Sequence, residues 1–171
     1  MDRPDLTYVL QEFKASVAVK QNILGDSAFT DRVTRMGHLL IDCYEAGNKL
    51  LVAGNGGSAA DAQHIAAEFV SRFNFDRPGL PALALTTDTS ILTAVGNDYG
   101  YDQLFRRQVE ANGVEGDVFM GISTSGNSAN VLLALEAARG KGLLTFGLTG
   151  QGGGWLQDFC DHCLCVPSTD T

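Results

Sequence analysis

Apolar positions follow two rhythms along this chain, and the change between them falls near residue 48. Leu6, Val9, Leu10, Phe13, Val17, Ile23 and Leu24 recur largely at helical intervals, which predicts a helix over residues 5–24. Gly25 and Asp26 interrupt it, and Asp26 or Ser27 can cap a second helix. That helix gathers Phe29, Val33, Met36, Leu40, Cys43 and Tyr44 on one broad face and stops at Gly47. Beyond it the apolar residues come in short unbroken runs, as in strands covered on both faces. These runs predict strands at about Lys49–Ala53, Ala82–Leu85, Val118–Ile122, Leu143–Leu148 and Leu164–Val166. Helices are expected between them at about Ser58–Phe73, Thr89–Val95, Asp102–Ala111 and Ala129–Arg139. Gly96 should end the second of these, with Asn97-Asp98-Tyr99-Gly100 forming a turn, and Thr149–Gly154 should be a glycine-rich loop.

Strands alternating with helices predict an α/β fold: a doubly wound, five-stranded parallel sheet with helices on both faces and right-handed crossovers. The expected strand order is the flavodoxin-like 2-1-3-4-5, which reverses direction between the first and third strands. Ligands of such sheets bind at that switch point, beyond the carboxyl ends of the strands. No repeat, linker or low-complexity tract divides the chain, so 1–171 reads as one domain, with N-terminal helices over 1–47 and the sheet core over 48–171.

The two stretches that follow the first and third strands carry the candidate chemistry. Gly54-Asn55-Gly56-Gly57-Ser58 is a glycine-rich turn into a helix, where unpaired N–H groups and the positive end of the helix dipole favour an anion. Ser123-Thr124-Ser125-Gly126-Asn127-Ser128 sets four hydroxyls before another helix, and each can donate to an anionic oxygen. No lysine follows the glycines, so this is not a nucleotide-hydrolysing P-loop. Gly54, Gly56 and Ala59 fit a degenerate dinucleotide fingerprint. The acidic residue that should close the second strand is displaced, however, because Asp76 lies in a proline-rich loop before it. A phosphosugar held by hydroxyls and N–H groups remains. On the helix after the first turn His64 and Glu68 share a face, with Asp61 and Gln63 nearby. They form either a solvated helix face, a general base at Glu68, or a shared metal site.

Composition narrows the partners. A formal net charge of −8 argues against broad binding of nucleic acid or anionic membrane, though a local nest of N–H groups can still hold a small anion. No run approaches a membrane span, and Met1-Asp2-Arg3-Pro4-Asp5 is no secretory signal, so a cytoplasmic location is expected. Cys160, Cys163 and Cys165 crowd around His162, which raises a zinc knuckle. Without a second C-x-x-C pair, and with Cys163 and Cys165 on one face of a strand, reduced cysteines are the plainer reading.

Taken together, Gly54–Ser58, Asp61-Ala-Gln-His64-Ile-Ala-Ala-Glu68, Val95-Gly-Asn-Asp-Tyr-Gly100 and Gly121-Ile-Ser-Thr-Ser-Gly-Asn-Ser-Ala-Asn130 resemble the phosphoheptose isomerases of the sugar isomerase (SIS) superfamily, over nearly the whole chain. The resemblance implies a SIS-type sheet, a homotetramer and conversion of sedoheptulose 7-phosphate to D-glycero-D-manno-heptose 7-phosphate through an enediol. That reaction opens the route to the nucleotide-activated heptose of bacterial lipopolysaccharide and other surface glycans. By motif match, Asn55, Gly56, Gly57, Asn97, Asp98, Ser123, Thr124, Ser125 and Ser128 would bind substrate. His64 and Glu68 would bind one zinc per subunit, and Glu68 would also contact substrate as the catalytic base. The family's site is completed by a glutamine and an acid histidine on a helix beyond the last strand. This sequence reaches only Ser168-Thr169-Asp170-Thr171, so either the chain continues past it or that acid is missing, and the remaining zinc ligands are not within it. The alternative within the superfamily is a non-catalytic protein that binds the bacterial replication initiator or senses a phosphosugar.

Overall fold

A computed structural model describes residues 5–170. Its helices are α1 (Leu6–Gly25), α2 (Ser27–Glu45), α3 (Gly57–Val70), α4 (Thr89–Tyr99), α5 (Leu104–Asn112), α6 (Ala129–Gly140) and α7 (Gly154–Phe159), with a short 3₁₀ turn at Tyr101–Gln103 before α5. Its strands are β1 (Leu50–Gly54), β2 (Ala82–Ala84), β3 (Val118–Ile122), β4 (Leu144–Thr149) and β5 (His162–Cys165). They form one sheet in the order β2-β1-β3-β4-β5, every pair parallel. The chain therefore does reverse direction between β1 and β3, as the alternating pattern predicts.

The strands bury both faces because their side chains alternate. Leu51 and Ala53 join Phe119, Leu135, Val109 and Leu156 under α5, α6 and α7, whereas Leu50 and Val52 join Val118, Phe146, Ala62 and Met36 under α2 and α3. Leu50 through Ala53 are wholly buried. A fully buried Leu or Val contributes about 1.5–3 kcal/mol, so β1 alone anchors a large part of the core.

The amino ends of the central strands are fastened by one buried carboxylate. Asp117, fully buried, accepts from the Lys49 backbone N–H at 3.0 Å, from Lys49 Nζ at 2.7 Å and from the Val114 N–H at 2.9 Å. It locks the start of β1 against the start of β3 and leaves their carboxyl ends to carry the loops.

Three expectations are corrected. α4 continues through Gly96 to Tyr99, so Asn97-Asp98-Tyr99 is helix, and the stop is Gly100 at φ 90°. One internal glycine costs about 1 kcal/mol, which eleven residues of helix capped by Asp88 on the Ile91 N–H outweigh. The glycine-rich loop after β4 is followed by α7, and β5 starts at His162, two residues before the predicted strand, and ends at Cys165. α3 ends at Val70, short of Phe73, because Arg77 folds back onto its last carbonyls, reaching Glu68 O at 2.9 Å and Phe69 O at 2.8 Å. α1 forms as its spacing predicts and buries none of its residues within the chain: Phe13 is 69% exposed and Leu24 79%. No helix among the described residues is long and apolar enough to cross a membrane.

Candidate active site

β1 and β3 are neighbours in register, with Gly54 opposite Ile122, so the two turns leaving them stand side by side. In the first, Gly56 takes φ 55° and ψ −120°, open to glycine but strained for a side chain, and starts α3 with no side-chain cap. Asn55 stands half-buried just before it.

The second turn is a hydroxyl cluster held from behind. Ser123 is buried, and its Oγ lies 2.9 Å from Ser128 Oγ and 3.5 Å from Ser125 Oγ. Ser128 occupies the N-cap of α6, yet its hydroxyl bonds no helix N–H. It is spent on the cluster and not on the helix. Among the described residues, the N–H groups of Thr124, Ser125 and Ser128 have no protein acceptor. At the back, Gly126 O accepts from the Leu156 N–H at 2.9 Å and Asn127 Oδ1 from the Trp155 N–H at 3.1 Å. Gly126 has φ 68°, and a Cβ there would run into the Gly153 carbonyl, so only glycine fits. Free donors at the front and a fixed backbone behind make an anion cradle at a helix N-terminus.

A reciprocal amide pair joins the two turns. Asn55 Nδ2 donates to Asn130 Oδ1 at 2.8 Å, Asn130 Nδ2 donates to Asn55 Oδ1 at 2.9 Å, and Tyr101 Oη donates to the same Asn55 oxygen at 3.0 Å. Two clefts open beside these turns, the first of them bordered by Asn55. One, of about 240 Å³, is lined by Asn55, Gly56, Thr86, Tyr101 and Phe105 among others. The other, of about 310 Å³, is lined by Ser58, Asp61, Thr124, Thr149, Ser168 and Asp170 among others.

The structure thus brings Asn55, Gly56, Gly57, Ser123, Thr124, Ser125 and Ser128 to one end of the sheet. It does not bring Asn97 and Asp98 there: they lie exposed on the last turn of α4, bonded to each other at 2.7 Å, and line neither cleft. His64 and Glu68 share a face as predicted, with Nε2 and Oε1 3.6 Å apart and side chains 72% and 32% exposed. Glu68 lies eleven residues beyond Gly57. At a rise of 1.5 Å per residue that is about 16 Å down α3, so within one chain it stands well away from the cradle.

No group of three or more His, Cys, Asp or Glu suited to a metal occurs among the described residues. At β5, His162 packs edge-on against Phe146 at 5.9 Å, on the face opposite Cys163 and Cys165, whose sulfurs are 3.9 Å apart. A hydrogen bond from Cys163 holds the Cys160 thiol below its ordinary range against the opposing effect of burial, and the same bond with burial pushes Cys163 up. Sequence reasoning missed Asn130 and Tyr101. Asn130 closes the last motif block and Tyr101 stands one residue beyond the third, but nothing local marks them as partners of Asn55.

The SIS domain family matches residues 16–150. The chain is 58% identical to the phosphoheptose isomerase of Aneurinibacillus thermoaerophilus over 96% of its own length and 83% of that protein. It is 54% identical to that of Burkholderia pseudomallei strain K96243, over all of its length and 87% of the other. The solved phosphoheptose isomerase of Francisella tularensis superposes with a TM-score of 0.92 at 38% identity, covering 98% of this chain and 88% of that one. The Neisseria gonorrhoeae enzyme gives 0.88 at 44% identity, covering 95% and 86%. Likeness of this extent, laid over an anion cradle already in register with its neighbouring turn, makes this chain a member of the phosphoheptose isomerase family of SIS-domain proteins.

Proposed function

We propose that the protein is an aldose–ketose isomerase converting sedoheptulose 7-phosphate to D-glycero-D-manno-heptose 7-phosphate. The observation that carries this reading is the hydroxyl cluster Ser123–Ser125–Ser128 at the start of α6, tied to the Asn55 turn. The phosphate sits on those hydroxyls and on the free N–H groups beside them, each a charge-assisted bond. The sugar extends past Asn55, Gly56 and Gly57. Asn97 and Asp98 are substrate contacts reached only by a site larger than the two clefts of one chain.

The reaction moves one proton from C1 of the ketose to C2 and another between the two oxygens, through an enediol. Glu68 is the base that removes the carbon-bound proton and returns it, and a separate acid serves the oxygens. While it rests on the carboxyl group the proton can exchange with water before its return, so partial incorporation of solvent hydrogen at C2 is expected. His64 and Glu68 are two donors for a zinc ion, which when bound would polarise the carbonyl. Two donors are half of a tetrahedral site, and the described residues supply no third, so no step here depends on the metal. Assembly as a homotetramer, a cytoplasmic location and a role in supplying heptose to surface glycans complete the proposal.

The test is direct turnover. Purified protein incubated with sedoheptulose 7-phosphate in D₂O should yield the aldose phosphate with deuterium at C2, read by NMR. No conversion, with and without added zinc, refutes the reading.

A further inference from the structure

Asn130 stands in the first turn of α6, 2% exposed, yet belongs neither to the hydroxyl cluster nor to the apolar core. An asparagine contributes little to a helix, and a buried amide must find partners. Its side-chain bonds go to Asn55, at 2.8 and 2.9 Å, while Tyr101 donates to the same Asn55 oxygen at 3.0 Å. An amide oxygen accepts through two lone pairs, and its nitrogen carries two hydrogens. Asn55 therefore has both lone pairs occupied and one N–H used, which leaves a single N–H to offer a ligand. The Tyr101 oxygen, having given its proton to Asn55, keeps its lone pairs, and its ring lines the cleft beside Asn55.

We propose that Asn130 and Tyr101 are positioning residues that lock the Asn55 amide as a hydrogen-bond donor toward the sugar phosphate, and that the Tyr101 hydroxyl itself accepts from a sugar hydroxyl. The inference rests on the phosphosugar reading of the two turns. An amide free to rotate presents its oxygen as readily as its nitrogen, and an oxygen turned toward a phosphate or carbonyl repels it. The pair closes that alternative. It also sets the spacing between the two turns, so that one ligand can engage both without reordering the loops.

The test is steady-state kinetics with sedoheptulose 7-phosphate on Tyr101→Phe, Asn130→Asp, Asn130→Ala, Asn55→Ala and the double variant Asn55→Ala/Asn130→Ala, with melting temperatures measured alongside. Tyr101→Phe removes one hydroxyl from a ring that is 62% exposed, so its fold is preserved. It should raise KM about twofold to tenfold, the worth of a neutral hydrogen bond. Asn130→Asp keeps the size but sets a carboxylate oxygen against Asn55 Oδ1, and should raise KM more. The decisive comparison is the double variant: if Asn130 acts through Asn55, the loss in kcat/KM from Asn130→Ala largely disappears once Asn55 is already alanine. A merely structural role costs the same in both backgrounds. Additive losses, or an unchanged KM in Tyr101→Phe, overturn the proposal. Calorimetric binding of sedoheptulose 7-phosphate reads the same cycle. A wild-type protein that binds without turning over refutes the isomerase reading and leaves the lock measurable, whereas one that neither binds nor turns over overturns both.

Discussion

Ser128 offers a clean separation between binding and folding. An N-cap serine ordinarily bonds the helix N–H two or three residues on, and its loss costs about 0.5–2 kcal/mol of stability. Ser128 holds the N-cap of α6 but makes no such bond; its hydroxyl sits 2.9 Å from Ser123 Oγ, inside the cradle. Ser128→Ala therefore removes nothing from the helix and one donor from the phosphate. A hydrogen bond to a charged group is worth about 1.5–3 kcal/mol, which predicts a rise in KM of roughly tenfold to 150-fold. Stability should fall by less than about 1 kcal/mol, the modest worth of the bond to Ser123. The assays are steady-state kinetics on sedoheptulose 7-phosphate and urea unfolding of the same preparation. A clear loss of stability with KM unchanged would show that the serine is an ordinary cap and would refute the placement of phosphate at this turn.

Two further outcomes are expected. Glu68→Gln keeps the shape but removes the proton acceptor, so kcat should fall about 10²–10⁴-fold with little change in substrate affinity; near-normal turnover would remove Glu68 as the base. Because a hydrogen bond from Cys163 lowers the Cys160 pKa while Cys163 is raised, Cys160 is the first of the two to become thiolate as pH rises. Iodoacetamide at pH 7.5 should alkylate Cys160 ahead of Cys163 by peptide mass mapping, and the reverse order would contradict that reading of the pair.

The sheet was legible because its strands are buried on both faces and spell themselves as unbroken apolar runs; Val118–Ile122 is predicted to the residue. The two turns were legible because their chemistry is local, carried by glycines and hydroxyls next to each strand. What the sequence hid is set by distance along the chain. Asn55 and Asn130 meet only because β1 and β3 lie in register, and no local pattern reports a pairing across 75 residues. Gly96 misled because a glycine reads as a stop, whereas the cap at Asp88 and packing on Leu104 carry the helix through it. The short α7 escaped because Gly152, Gly153 and Gly154, all at positive φ, mask the helix that follows. The apolar stripe of α1 was visible, but what it covers was not.

That stripe and the position of Glu68 point to the same conclusion about assembly. α1 leaves Leu6, Leu10, Phe13 and Val17 between 47% and 73% exposed. Burying the exposed part of each would gain about 0.7–2 kcal/mol, which favours covering the stripe with a second copy of the chain. α1 also adjoins the site: Glu12, Ser16 and Lys20 share a cleft with Ser168 and Asp170, and Ser168 and Asp170 also line the cleft beside Thr124. Within one chain Glu68 lies about 16 Å down α3 from the glycine turn, farther than one seven-carbon sugar phosphate comfortably reaches, and beside it His64 stands open to water. An enediol needs a site closed to solvent. Both difficulties vanish if the base of one subunit serves the cradle of another. Two variants impaired for different reasons, Glu68→Gln in turnover and Ser128→Ala in binding, should then exceed either one alone, at substrate well below the Ser128→Ala KM, when their subunits are mixed and reassembled. With equal mixing, about a quarter of the sites would combine an intact cradle with an intact base. Phe13→Asp, which places a charge in the apolar stripe, should dissociate the assembly by light scattering and abolish turnover together. Failure of the mixed subunits to exceed the separate variants, or a fully active monomer, would return the base to its own chain.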